Sequence, residues 1–300
     1  VTSIGEEPFG YCSSLKKISI PDSVESIDRY AFLYCESLES VKLSNVLRSI
    51  GSYAFSQCYN LKSIDIPAAV STIGDGPFAN CRSLSSINVS EDNERYRSID
   101  NVLFDYEMEN LIYCTSVGRT EYTIPDGVKN IYDYAFLECE DLKSVSIPNS
   151  VTHIYRSAFQ DCTNLQNINL PNSIHYIEPS VFENCSSLSN ISIPDKVEYI
   201  GNRAFSGCSS LTNIEIPESI TSLSEYLFGD CSNLESIKIP DSVTSIGKGA
   251  FDGCKSLTSI NIPKGITRIE NSTFYMCTNL NIEIPDNITY IGSSAFAWCS

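Results

Sequence analysis

Thirteen cysteines and two histidines carry the widest chemical reach in this chain of 300 residues. Thiols can form disulfides, ligate a soft metal or act as nucleophiles, and imidazoles can move protons near neutral pH. The spacing argues against each of these. Cys12, Cys35, Cys58 and Cys81, then Cys139, Cys162, Cys185, Cys208, Cys231, Cys254 and Cys277, recur every 23 residues on either side of one gap. Each has Phe three positions before it and Leu three positions after, as Phe32 and Leu38 flank Cys35. A cysteine at the same place in every unit makes a column of small buried apolar groups. Parallel side chains in such a column do not present the Cβ geometry of a disulfide. No C-x2-C pair and no nearby His offers a zinc site. Free buried thiols are expected, with no metal and no cofactor.

A fixed period of this length marks a solenoid, in which stacked coils share one core and no coil buries its own apolar residues. The unit reads C-x2-L-x2-I-x-I-P-x2-V-x2-I-x3-A-F-x2, its apolar positions all filled between Cys208 and Cys231 by Leu211, Ile214, Ile216, Pro217, Ile220, Leu223 and Phe228. Its I-x-I pair alternates with a period of two and predicts a short strand, stacked once per coil into a parallel ladder. Proline (Pro21, Pro67, Pro125 and onward) cannot donate to that ladder and turns the chain. The V-x2-I segment predicts a second, irregular strand-like face. The glycines that follow it (Gly51, Gly74, Gly201, Gly247, Gly292) read as turn residues needing positive φ. The A-F-x2-C stretch predicts one helical or 3₁₀ turn on the convex side.

This unit resembles the BspA-like class of leucine-rich repeat, and the resemblance covers essentially the whole chain. It implies a right-handed solenoid arc, with a parallel β-sheet of short strands on the concave face and short 3₁₀, helical or irregular segments on the convex face. It also implies display on bacterial or protist cell surfaces and adhesion to host, matrix or other cell-surface proteins. On this reading residues 1–300 form a single leucine-rich repeat domain of about twelve coils. The chain starts at Val1 and stops at Ser300 in mid-repeat, so caps, signal and anchor are expected outside it.

Between Val89 and Ile124 the regular spacing is broken by extra residues. Two apolar runs there, 101–105 and 111–114, predict a β-hairpin within a longer coil at about 90–124. Acids concentrate in it: Glu91, Asp92, Glu94, Asp105, Glu107 and Glu109 are candidate contact residues, although no calcium-loop pattern is present. A second candidate is a departure from the repeat. The residue before the V-x2-I isoleucine is usually Ser or Thr (Ser26, Ser49, Thr72, Ser222, Ser245), yet three consecutive coils place His153, Tyr176 and Tyr199 there. His175, Glu198 and Tyr155 lie beside them in sequence, and tyrosine serves interfaces well.

The formal charge of −17 disfavours nucleic acid, which requires a basic stripe. No apolar run is long enough for direct membrane insertion. No G-x-S-x-G, H-E-x2-H, P-loop or G-x-G-x2-G pattern occurs, so no enzyme is expected. The expected function is a non-catalytic protein-binding or adhesion module at an extracellular or cell-surface location. The alternatives are a structural spacer projecting another domain and an intracellular recognition or signalling array.

Overall fold

The computed structural model describes residues 1–299. They gather into two compact units, one of Val1–Arg119 with Gly127–Cys139, the other of Thr120–Asp126 with Glu140–Ser300. Each is built of coils whose Ile, Leu, Phe and Cys columns are buried.

In the first unit the I-x-I segments form a parallel sheet of Lys17–Ser19, Ser40–Lys42, Ser63–Ile66 and Ser86–Val89, in register Ser63↔Ser86 and Ile64↔Ile87. The V-x2-I segments are also strands, only two residues long: Ser3–Ile4, Ser26–Ile27, Ser49–Ile50 and Thr72–Ile73, again parallel and in register. Proline separates the two ladders as expected. Its carbonyl accepts the N–H three residues on, as Pro21 does from Val24 at 3.0 Å. The second unit repeats the plan with Glu121–Thr123, Ser144–Ser146 and Asn167–Ile168 in one ladder. Its other ladder includes Tyr176–Ile177 paired with Tyr199–Ile200, and Ser222–Leu223 paired with Ser245–Ile246.

The A-F-x2-C stretch is neither helical nor 3₁₀, contrary to the expectation from its length. Two residues four apart in each such turn take the left-handed conformation: Tyr30 and Tyr34 (φ 59° and 57°), Ser157 and Asp161 (55° and 59°), Tyr226 and Asp230 (53° and 56°). A right-handed helical run cannot contain such residues. The chain instead makes successive tight turns in which alternate N–H groups point to different partners. Ala31, Leu33 and Cys35 donate within the coil to Asp28, Tyr30 and Phe32, while Tyr30, Phe32 and Tyr34 donate to Ser52, Ala54 and Ser56 of the next coil. Half of the turn's donors therefore bind the stack together. A helix would have kept all of them local.

Phenylalanine and cysteine hold the inner side of these turns. Phe32 stacks on Phe55 with centroids 5.1 Å apart and planes 1° apart, and Phe182 on Phe205 at 5.7 Å and 10°. The cysteines are free thiols, and between them they do more than fill space. In the regular coils a buried Sγ donates to the carbonyl of the Phe in the preceding coil, as Cys58 does to Phe32 at 3.2 Å, Cys208 to Phe182 at 3.2 Å and Cys231 to Phe205 at 3.1 Å; beside the irregular coil Cys114 and Cys139 turn instead to the Thr115 and Cys114 carbonyls. The Phe oxygen already accepts the amide of its own coil's cysteine, so the thiol occupies its second lone pair. Alanine would fit the space but leave that lone pair without a donor. Burial pushes the Cys208 and Cys277 thiols up to about 12 and those of Cys185, Cys231 and Cys254 well above the ordinary range. They are therefore un-ionised and unreactive near neutrality.

The glycines after the V-x2-I strands are needed for a different reason from the one expected. None of Gly51, Gly74, Gly201, Gly247 and Gly292 has positive φ. A Cβ on Gly51 would stand 2.4 Å from the Arg29 nitrogen, and one on Gly201 would stand 2.4 Å from the Pro179 nitrogen. Here the backbones of neighbouring coils approach too closely for any side chain.

The irregular coil contains three antiparallel strands, Tyr96–Ile99, Val102–Asp105 and Asn110–Cys114. Asp100 and Asn101 form a two-residue loop with φ of 51° and 60°, the handedness that suits a strand twist. Asn110–Leu111 then runs parallel to Asn130–Ile131, returning the chain to the short-strand pattern. The earlier ladder ends at Thr72–Ile73, where the half-buried Tyr96 hydroxyl accepts the Ile73 N–H at 2.9 Å. A side chain thus takes the place of the missing rung.

Candidate functional site

The short-strand ladder of the second unit positions the strongest surface candidate. In the strands His153–Ile154, Tyr176–Ile177 and Tyr199–Ile200 the isoleucine points into the core and is buried. Alternation along a strand then forces the preceding side chain outward. His153, Tyr176 and Tyr199 occupy that outward position, with Tyr176 directly opposite Tyr199 in register and His153–Ile154 packed against Tyr176–Ile177. Tyr176 is 46% exposed and Tyr199 40%. One position earlier, His175 and Glu198 are also exposed and adjacent, with His175 Nδ1 4.0 Å from Glu198 Oε1 and the Glu198 N–H donating to the His175 carbonyl at 2.8 Å. Tyr155 is half-buried, and its ring lies 5.8 Å from that of His153 with planes 13° apart. The His175 and Tyr176 rings are 6.4 Å apart and tilted by 44°. All six side chains singled out in the sequence therefore lie on three neighbouring rungs. The carboxylate, imidazoles and phenols offer hydrogen bonds, aromatic faces and one negative charge.

The acids of the irregular coil do not converge in the same way. Both carboxylate oxygens of Asp105 accept from Asn110, one from the main-chain N–H at 2.8 Å and one from Nδ2 at 2.7 Å, closing the turn between their strands. Glu109 forms an ion pair with Lys129. Glu91, Asp92, Glu94 and Glu107 are exposed. Among the described residues no three His, Cys, Asp or Glu side chains form a group able to hold a metal ion.

A feature missed in the sequence is the pairing of tyrosine with cations and with other tyrosines. On the turns of the first unit Tyr11 stacks on Tyr34 at 4.9 Å and Tyr30 on Tyr53 at 5.4 Å. The Arg29 guanidinium lies 4.5 Å from the Tyr30 ring centroid, and Arg82 lies 5.4 Å from Tyr59 while it donates through Nε and Nη2 to Glu138. In the second unit Arg203 covers Tyr226 at 4.6 Å and Arg268 covers Tyr290 at 3.9 Å. The available signal was a cation one coil away from a tyrosine, as Arg203 is from Tyr226.

Comparison with known proteins agrees with the repeat geometry. The profile of the BspA type leucine rich repeat region matches residues 2–117, 107–235 and 222–300, in six copies. A leucine-rich repeat protein from Eubacterium ventriosum is 26% identical, with 99% of this chain and 80% of that chain covered and a TM-score of 0.70. One from Bacteroides ovatus is 32% identical over 100% of this chain and 80% of that one, with a TM-score of 0.60. A leucine rich cell surface protein from Faecalibacterium prausnitzii is 30% identical over 100% and 73%, with a TM-score of 0.52. Among curated proteins none matches. Two stacked ladders, a Phe–Cys turn closing each coil and a profile that spans the chain together place this protein in the BspA-type leucine-rich repeat family.

Proposed function

We propose that this chain is a non-catalytic protein-binding module displayed on a cell surface, and that it docks matrix or host-surface proteins through the patch of His153, Tyr155, His175, Tyr176, Glu198 and Tyr199. One observation carries the reading. At a ladder position otherwise held mostly by Ser or Thr, three consecutive rungs turn His153, Tyr176 and Tyr199 outward. Core packing does not require rings there, because the inward isoleucines already fill the interior. Tyrosine contributes large contact area at low entropic cost and is enriched in interface centres. The cell-surface name of the relative from Faecalibacterium prausnitzii supports the location.

The test is surface plasmon resonance of the immobilised chain against a panel of matrix and host-surface proteins. Tyr176→Ala with Tyr199→Ala should weaken whatever binding is found by tenfold or more while leaving the melting temperature unchanged. Binding that is indifferent to that double substitution would remove the patch from the proposal.

A further inference from the structure

The exposed tyrosines among the described residues follow a pattern with two exceptions. Tyr106 is 44% exposed and has the Arg97 guanidinium 4.1 Å from its ring centroid; Tyr290 is 39% exposed and has Arg268 at 3.9 Å. Tyr11, at 65%, stacks on Tyr34. Among the described residues, Tyr176 and Tyr199 are the exposed tyrosines that neither lie under a cation of the chain nor stack on another tyrosine.

Arg268 and Tyr290 show what such a ring takes up on this same face. They sit opposite each other in the short-strand ladder, in the positions that Tyr176 and Tyr199 occupy between themselves. There the guanidinium lies on the phenol ring and its Nε donates to Glu270 Oε1 at 2.8 Å. The Tyr176–Tyr199 patch has two rings and the exposed carboxylate of Glu198 but lacks the guanidinium. We infer that a basic segment of the protein partner supplies it: an arginine seats its guanidinium against Tyr176 and Tyr199, with Glu198 beside it. The chain's charge of −17 attracts such a segment from a distance, and the rings fix where it rests. Arginine suits the site better than lysine, since its planar group stacks on a ring and donates sideways at once. This inference rests on the docking patch proposed above and specifies its partner's chemistry.

The probe is a fluorescein-labelled octapeptide of alternating glycine and arginine, titrated with the intact chain by fluorescence anisotropy at about physiological salt, where long-range attraction is damped. A peptide with glutamine in place of arginine is the reference. Tyr176→Ala with Tyr199→Ala should weaken arginine-peptide binding about tenfold without changing net charge, as expected for two ring–cation contacts. Tyr176→Phe with Tyr199→Phe should retain it, because the ring face and not the hydroxyl is responsible. Glu7→Gln with Glu36→Gln, which removes two exposed charges from the other unit, should change it less than about twofold. Equal affinity of the alanine variant and the parent, or of the arginine and glutamine peptides, would overturn the inference. If the alanine variant then still loses capture of matrix or host-surface proteins, the docking patch stands and only its cationic partner is wrong.

Discussion

Two positions in the same coil obey opposite rules. The Phe–Cys turn is nearly invariant from Phe9–Cys12 to Phe274–Cys277, whereas the outward position of the short strand runs through Ser, Thr, His, Tyr and Arg. The difference lies in what surrounds each side chain. A turn phenylalanine lies between like rings above and below, and its carbonyl accepts an amide from its own coil and a thiol from the next. Any change there is felt by two neighbours. An outward strand residue faces water, and its isoleucine neighbour alone seats the strand. Uniformity is enforced by packing, and variety survives where packing makes no demand. That freedom is what allowed a ring patch to arise on three rungs.

The most severe way to break the turn column is alkali. The folded state holds the proton on the thiols of Cys185, Cys208, Cys231, Cys254 and Cys277, and an unfolded thiol releases it near the ordinary value of 9. Because the folded pKa is raised, stability is fully present below pH 9 and is lost as pH rises from there through about 12. Each buried thiol withdraws up to about 1.4 kcal/mol per pH unit in that window, so the column together loses on the order of 5 kcal/mol by pH 10. The melting temperature should fall by ten degrees or more between pH 8 and pH 10, and Cys208→Ala with Cys231→Ala should flatten the slope. A melting temperature that stays level over this range would mean the thiols are not shielded as described.

A single deletion in the same column comes next. Phe205→Ala removes a fully buried ring stacked between Phe182 and Phe228, and should cost about 3–5 kcal/mol in urea unfolding. Loss of that interface should also lower the steepness of the transition, because each coil is held chiefly by its neighbours. A cost under about 1 kcal/mol would show that the stack relaxes around the gap.

Glycine sharpens the contrast between packed and open positions further. Gly51 has an unexceptional φ but no room, whereas Gly118 has φ of +69° and open space, with nothing within 4 Å of where a Cβ would stand. Gly51→Ala should cost about 3 kcal/mol through displaced backbone, while Gly118→Ala should cost about 1 kcal/mol through local strain alone. Thermal melts of the two variants side by side decide this. The reverse order would mean that conformation, and not the approach of coils, is what these glycines serve.

The period was legible in the sequence because stacking repeats the same environment every 23 residues and so repeats the same residues. Both ladders, the buried columns and the free thiols follow from it. The turn was not legible, since its left-handed positions accept Tyr30, Gln57, Ser157 and Arg203 as well as Gly207, and nothing in those identities announces positive φ. The role of Gly51 was misread because a glycine can mark either an unusual φ or a close approach, and only the folded backbone separates the two. At the candidate site the departure from Ser or Thr at residues 153, 176 and 199 was visible as a pattern. The bareness of Tyr176 and Tyr199 was not, since the cation that covers Tyr290 arrives from Arg268 in the preceding coil and depends on how both side chains lie.

The smallest expected effect tests the comparison from its other side. Tyr199→Ser restores the residue most frequent at this position, as at Ser222 and Ser245. The ring is 40% exposed and, among the described residues, lies against neither a cation nor a stacked tyrosine, so its removal should move stability by less than about 0.5 kcal/mol. Ile200→Ser, one residue further along the same strand, replaces a side chain that is 1% exposed and should cost several times as much, about 2–4 kcal/mol. Denaturant midpoints of the pair measure the boundary between the two rules at a single peptide bond. Were Tyr199→Ser as damaging as Ile200→Ser, the ring would belong to the scaffold, and its presence there would need no partner to explain it.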